Sequence, residues 1–194
     1  MADDVRTVTL APAQKWQQAR DMIIRPLTEG DADILWVARL QALRESPAAF
    51  LSTLAEAAGD TAQVMRMQLT DPHIRYFGAF DQAQLAGFLR YVRPARLARR
   101  HTAEIHSVHV DAAHRGHGIA RQLFLAAFAA ARADGIESLT LTVLADNAAA
   151  RGLYESLGFT EFGIEPRAVK RDGRYVDMVS YGISVTSHPS SPAP

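Results

Sequence analysis

Residues able to handle protons and anions gather in one stretch of this chain. From Val108 to Leu125 it reads V-H-V-D-A-A-H-R-G-H-G-I-A-R-Q-L-F-L. The stretch opens as a β pattern, turns at Arg115-Gly116-His117-Gly118 and enters an apolar helix at Ile119-Ala120. Glycines let the backbone turn sharply and leave N–H groups with no Cβ in front of them. At the start of a helix those N–H groups have no internal partner and the macrodipole is positive, which suits an anion such as a pyrophosphate. An ordinary strand–turn–helix junction uses glycine for the turn alone, so the surroundings must decide between the two. Histidines at 101, 106, 109, 114 and 117 bring groups that titrate near neutrality. Their spacing on a strand and loop does not converge like a zinc motif and the chain has no cysteine, so no metal is expected.

The surroundings are specific. Arg115-x-x-Gly118-x-Ala120 after the Val108-x-Val110 strand resembles the Arg/Gln-x-x-Gly-x-Gly/Ala motif of the GCN5-related N-acetyltransferases (GNAT). Downstream, Asn147-Ala148-Ala149-Ala150-Arg151-Gly152-Leu153-Tyr154-Glu155-Ser156-Leu157-Gly158-Phe159 is similar to that family's N-x-x-A-x-x-L-Y-x-x-L-G-F signature. The two stand in the family's order and at its usual separation, and the likeness runs from about Met22 to about Ser184. One departure is Asp111-Ala112-Ala113, where the family often has a proline.

The resemblance implies an acetyl-CoA-dependent N-acetyltransferase that moves an acetyl group to a primary amine of a small molecule or peptide. Transfer would be direct, within a ternary complex, since no nucleophilic Ser or Cys arrangement is apparent. Backbone N–H groups of Arg115, Gly116, His117, Gly118, Ile119 and Ala120 would cradle the pyrophosphate, with His117 and Arg121 adding charge. A solvated loop histidine is the alternative for His117. Val108, His109 and Val110 would form a strand edge that splays from Thr140–Val143, and an N–H near Val110 would polarise the thioester carbonyl. Asn147 would hydrogen-bond the cofactor arm. Tyr154 would return a proton to the thiolate as general acid, or else be a half-buried core tyrosine. For the general base, Glu104 falls where the histone acetyltransferases of the superfamily carry a glutamate. His106, His109 or an ordered water are alternatives. Trp36, Phe50 and Tyr76 lie in or near segments that line the acceptor pocket in the family. The run of Arg90, Arg93, Arg96, Arg99 and Arg100 reads as a solvated loop, or as a loop near the acceptor or the 3′-phosphate of CoA. The rival function is a non-catalytic acyl-CoA-binding regulatory module on the same fold, which would tolerate loss of Tyr154 and Glu104.

Composition is consistent with this reading. The 194 residues suffice for one domain with a real core. With 21 basic and 21 acidic residues the formal charge is zero, so no global field holds nucleic acid or an anionic membrane. The apolar run Leu123–Ala131 is too short to span a bilayer, and Asp3 and Asp4 argue against a signal peptide, so a cytoplasmic location is expected. The acceptor stays open among polyamines, aminoglycosides, amino-acid-like xenobiotics and protein N-termini or lysines. The family's frequent homodimers leave oligomeric state open too.

The elements that must hold these residues are read from pattern. Residues 1–20 form an N-terminal extension, with a short helix around Ala13–Arg20 as one option. The transferase domain runs over 21–186, and residues 187–194 form a disordered tail. Met22–Arg25 suggests a first strand, Asp31–Arg44 a helix, and Asp60–Leu69 a second helix. Ile74–Phe80 and Leu85–Val92 read as a hairpin. Thr102–Val110 is a strand, Ile119–Ala133 a buried helix capped by Gly135, and Ser138–Leu144 a strand parallel to the one before that helix. A short helix from Asp146 or Asn147 stops at Gly158. Phe159–Ile164 and Tyr175–Val185 make a last pair around Arg171-Asp172-Gly173. The fold class expected is α/β of the α+β type, the GNAT acyl-CoA N-acyltransferase fold, with a mixed and mostly antiparallel sheet flanked by helices.

Overall fold

The structure, a computed structural model, describes residues 22–59 and 61–185. The N-terminal extension and the tail therefore lie outside the described residues. Seven strands form one open sheet in the order β1-β2-β3-β4-β5-β7-β6. They are β1 (Ile23–Pro26), β2 (Ile74–Asp81), β3 (Gln84–Val92), β4 (Thr102–Val110), β5 (Ser138–Leu144), β6 (Thr160–Arg171) and β7 (Arg174–Ser184). Among the described strands only β4 and β5 pair in parallel. Among the described residues the helices are α1 (Ala32–Glu45), α2 (Leu54–Ala58), α3 (Ala62–Thr70), α4 (Ile119–Ala133) and α5 (Ala148–Ser156), with short 3-10 turns between elements.

Alternation along the strands sends side chains to two cores. Phe77, Ala79, Leu89, Tyr91, Ala103 and Ile105 pack with Leu123, Phe124 and Ala127 of α4. Tyr76, Phe80 and Phe88 face the other way, against Leu35 and Leu43 of α1 and Met65 of α3. The aromatic residues Phe124, Tyr154 and Phe159 stack edge to face and seat α5 beside α4, with ring centroids 5.6–6.1 Å apart.

Local chemistry sets the boundaries. Asp31 accepts from the Thr28 backbone N–H and forms a two-bond fork with Arg25, at 2.8 and 2.7 Å, which ties the start of α1 to β1. Gly118 precedes α4 with φ 77°, and Gly135 follows it with φ 70°, both in the left-handed region glycine favours. The β2–β3 turn is as expected, with Gln82 at φ 52°.

The sequence reading falls short at two elements. The segment expected to be one helix over Asp60–Leu69 is α3, and a separate α2 precedes it, begun by a Thr53–Glu56 capping box. The last hairpin is longer than expected, because β6 continues through Pro166 to Arg171. Proline survives there because β6 is an edge strand, and the register slips between Glu165 and Val169. Asp172 and Gly173 both have positive φ, the geometry of a tight two-residue hairpin turn, so pairing reaches Arg171 and Arg174.

Two outcomes follow. A Cβ at Gly87 would lie 2.9 Å from the His109 carbonyl oxygen, and backbone cannot move aside as a side-chain tip can. Gly87→Ala is expected to destabilise by ~1–3 kcal/mol, read as a lower urea midpoint with unchanged slope. Asp31 is held well below the usual carboxylate range, first by its bonds to Arg25 and then by Thr28. Its contribution is therefore complete above the ordinary carboxylate value and fades as pH falls toward the lowered folded one. Asp31→Asn should cost about 1 kcal/mol at neutral pH, with the gap closing below about pH 4 in pH-dependent thermal unfolding.

Candidate active site

The site begins where two neighbouring strands part. β4 and β5 pair from Thr102↔Ser138 to Ile105↔Leu141 and no further. Both strands continue, β4 held by β3 to Val110↔Gly87 and β5 by β7 to Leu144↔Met178. From His106 onward β4 thus has a free edge toward β5. A cavity of 490 Å³ opens at this fork, lined among others by His106, Val108, Thr142, Leu144 and Leu153.

A bulge in β4 sets which side chains meet the cavity. Arg90 pairs with His106 and Phe88 with His109, so Ser107 and Val108 together oppose Leu89. Ser107 takes φ 50°, rare for a residue with a Cβ and of the kind that gathers at functional sites. The extra residue resets alternation. Val108 and Val110 pack against the α4 core, while His109 turns to the α1 side, its ring 5.7 Å from Phe88 and 6.2 Å from Phe50.

At the far end of β4 the glycine turn presents a row of backbone N–H groups to open space. The Arg115 N–H is bonded to Ala112 O, but from Gly116 to Arg121 the N–H groups find no acceptor among the described residues. A Cβ at Gly116 or Gly118 would meet nothing within 4 Å, so the turn faces open space. The first turn of α4 has no acidic residue and carries an exposed Arg121, opposite to what the helix macrodipole favours unless an anion is bound. The Arg115 side chain braces the turn through Val110 O (2.9 Å) and Ser46 Oγ (3.0 Å), and lies 3.7 Å from Glu45. His117 folds back, with Nδ1 3.1 Å from His114 O.

Of the residues expected to bind the cofactor, Val108, His109, Val110, Arg115, Ala120 and Asn147 line the cavity. Gly116, His117, Gly118, Ile119 and Arg121 do not form its wall, and the Ile119 side chain is core. Asn147 spends its side-chain oxygen capping α5, accepting from Ala150 N at 3.2 Å. Tyr154 reaches the wall from α5, and burial pushes its phenol up to about 12. It makes no side-chain hydrogen bond among the described residues, and burial alone causes that shift.

Glu104 is not brought to the cavity. Its carboxylate is 3.1 Å from Arg99 and 3.2 Å from His106 Nε2, and it is His106 that lines the wall. Burial, and then the Arg90 guanidinium, hold His106 below the usual histidine value against the pull of Glu104. Phe50 also lines the cavity, whereas Tyr76 and Trp36 belong to the core on the α1 side. The basic run splits. Arg90 enters the cavity, Arg93 lies 4.0 Å from Asp134, and Arg99 pairs with Glu104.

Two groupings escaped the sequence. Arg39, from α1, lines the cavity with Arg90. Glu45, His109 and Asp111 bring one ligand atom each within 4.8 Å of one another, a cluster able to hold a cation. His109 Nε2 is 3.3 Å from Asp111, and Arg115 stands beside Glu45, so neighbouring groups already engage these carboxylates. Histidine spacing alone could not reveal it, because Glu45 comes from another element.

Comparison with known proteins agrees with this architecture. The Acetyltransferase (GNAT) family model matches residues 37–159. An N-alpha-acetyltransferase RimI of Mycobacterium tuberculosis is 35% identical over 108 residues, 55% of this chain and 65% of that protein. The L-methionine sulfoximine/L-methionine sulfone acetyltransferase of Pseudomonas aeruginosa is 34% identical over 87 residues, 45% of this chain and 51% of that protein. The chain thus spans about half to two thirds of these relatives' length. A crystal structure of a GNAT-family acetyltransferase from Streptococcus pneumoniae superposes with a TM-score of 0.77 at 22% identity, covering 84% of this chain and 99% of that one. No helix among the described residues is long and apolar enough to cross a membrane. Strand fork, glycine cradle and family match converge: the chain belongs to the GNAT acetyltransferase family.

Proposed function

We propose that the protein is an N-acetyltransferase that moves an acetyl group from acetyl-CoA to a primary amine by direct attack in a ternary complex. The observation that carries this is the free edge of β4 beyond Ile105, which ends in the open N–H groups of Gly116–Arg121 and is overlooked by Tyr154. Acetyl-CoA brings the thioester whose acetyl carbon is attacked.

The chain's own groups divide the work. The N–H groups from Gly116 to Arg121 and the positive end of α4 hold the pyrophosphate. The free edge at Val108–Val110 aligns the pantetheine arm, and an N–H near Val110 polarises the thioester carbonyl. Asn147, engaged as a cap, shapes the wall for that arm and offers it an amide N–H₂. His106 takes the proton lost by the amine as the N–C bond forms. With Nε2–H donated to Glu104, Nδ1 keeps its lone pair, and the lowered pKa keeps the ring neutral near pH 7. Glu104 is then a positioning residue. As the C–S bond breaks, Tyr154 donates its proton toward the departing sulfur; burial ensures that the proton is there to give.

Thiol release from acetyl-CoA across a mixed panel of amines tests the reading. Turnover with an amine class that drops about tenfold or more in Tyr154→Phe is the expected result. Protection from heat by CoA without turnover of any amine would instead favour a binding module. A pH profile separates the bases. Activity should climb through an acidic limb whose midpoint lies below the usual histidine value of 6.5, because the folded pKa is lowered. His106→Gln should abolish that limb. Glu104→Gln should move it to lower pH, since Glu104 raises the His106 pKa. A limb unmoved by either substitution would reassign the base.

A further inference from the structure

The cavity wall carries cationic side chains from Arg39, Arg90 and Arg115 and, among its lining residues, no aspartate or glutamate. Arg115 is matched by Glu45. Arg39 and Arg90 have no carboxylate partner among the described residues, unlike Arg25, Arg66, Arg75 and Arg99, each of which is ion-paired. The Nε atoms of Arg39 and Arg90 are buried and find no acceptor there. An unmatched guanidinium at a partly buried wall is costly, and two at one wall repel each other. A guanidinium fork is also the side chain best shaped to take a carboxylate through two parallel bonds.

Register fixes where such an anion would lie. Tyr76 opposes Arg90 across β2 and β3, and Arg90 opposes His106 across β3 and β4, so the three form a row on the α1 side of the sheet. Arg39 comes from α1 to the same place: both arginines act electrostatically on the Tyr76 phenol, which also accepts a hydrogen bond from Arg90 and donates its own to Gln68, so Arg90 has a neutral partner but no carboxylate. Arg90 acts on His106 as well. The Arg90 guanidinium therefore stands beside the His106 imidazole, and Arg39 reaches the same cavity wall.

We infer that the acceptor is an amino-acid-type small molecule, whose carboxylate is held by Arg39 and Arg90 while the amine on the adjacent carbon is presented to His106. This rests on the acetyl-transfer reading and narrows it. A carboxylate one carbon from the amine is short enough to span neighbouring positions in the row. Polyamines and aminoglycosides, which carry extra positive charge, would meet two unpaired guanidinium groups. A peptide N-terminus has a neutral amide where the free acid has its charge.

The test compares initial rates of thiol release from acetyl-CoA with each standard L-amino acid, the matching amino-acid amides and an alkyl diamine. For an accepted side chain, the free acid should exceed its amide in kcat/KM by at least about tenfold, and the diamine should be slowest. In Arg39→Gln and Arg90→Gln the acid-to-amide ratio should fall toward one, mostly through a higher KM for the acid, with Arg39→Lys keeping part of it. Heat protection by CoA checks that each variant is folded. Amides or diamines used as well as acids would overturn the inference. So would an unchanged ratio in both variants, or a loss of acetyl-CoA affinity without a change for the acid. Should no amine be turned over, calorimetric titration of the CoA-loaded protein with the same acids and amides separates the two ideas. Binding of an acid but not its amide, lost in Arg39→Gln, keeps the arginine site and removes the transferase. Binding of neither removes the arginine site.

Discussion

A sheet that must come apart at one seam governs this molecule. Strand pairing satisfies backbone N–H and C=O groups, and leaving a row of them without partners is costly unless water or a ligand takes over. Here β4 and β5 give up their mutual bonds after Ile105 and Leu141 while each keeps its outer neighbour. The seam can open without unravelling because β3 and β7 anchor its flanks. Parallel pairing requires the crossover through α4, which carries the N-terminus of that helix to the open end. The open N–H groups of the glycine turn and the strand fork are thus two results of one βαβ connection.

The bulge at Ser107 is the second device. A regular strand would aim Val108 at the α1 side and His109 into the apolar core beneath α4. One extra residue reverses this, and the cavity gains a histidine on one face while the core gains two valines on the other. Charge is distributed with similar economy. Overall neutrality conceals two arginines, Arg39 and Arg90, that reach the cavity wall without a carboxylate partner among the described residues.

How much of this the sequence discloses depends on range. The glycine turn, β4 and α4 depend on residues near in sequence, and pattern places their limits as the structure does. Gly116 and Gly118 announce their conformation by being glycine. Ser107 adopts a similar φ with no such sign, because the bulge is imposed by pairing to β3. Arg39 and Arg90 stand far apart in the chain and meet only through cross-strand register and helix docking, which no local pattern encodes. Glu104 and His106 share a strand face, so alternation could not say which would reach the cavity. The β6–β7 hairpin runs past its expected limits through Pro166, which only its place at the sheet's rim makes tolerable and which no local pattern discloses.

That proline has a counterpart. The outermost strands of the open sheet are β1 and β6, and each contains one, at Pro26 and Pro166. A sheet whose rims carry no further strand among the described residues is a template on which other strands can add, from other copies or from misfolded chains. A proline has no N–H to offer an incoming strand. β1 is also only four residues long, and β6 is kinked by its register slip, with Arg167 at φ 57°. The same open architecture that yields a cleft in the middle of the sheet is guarded against self-association into fibres at both its margins.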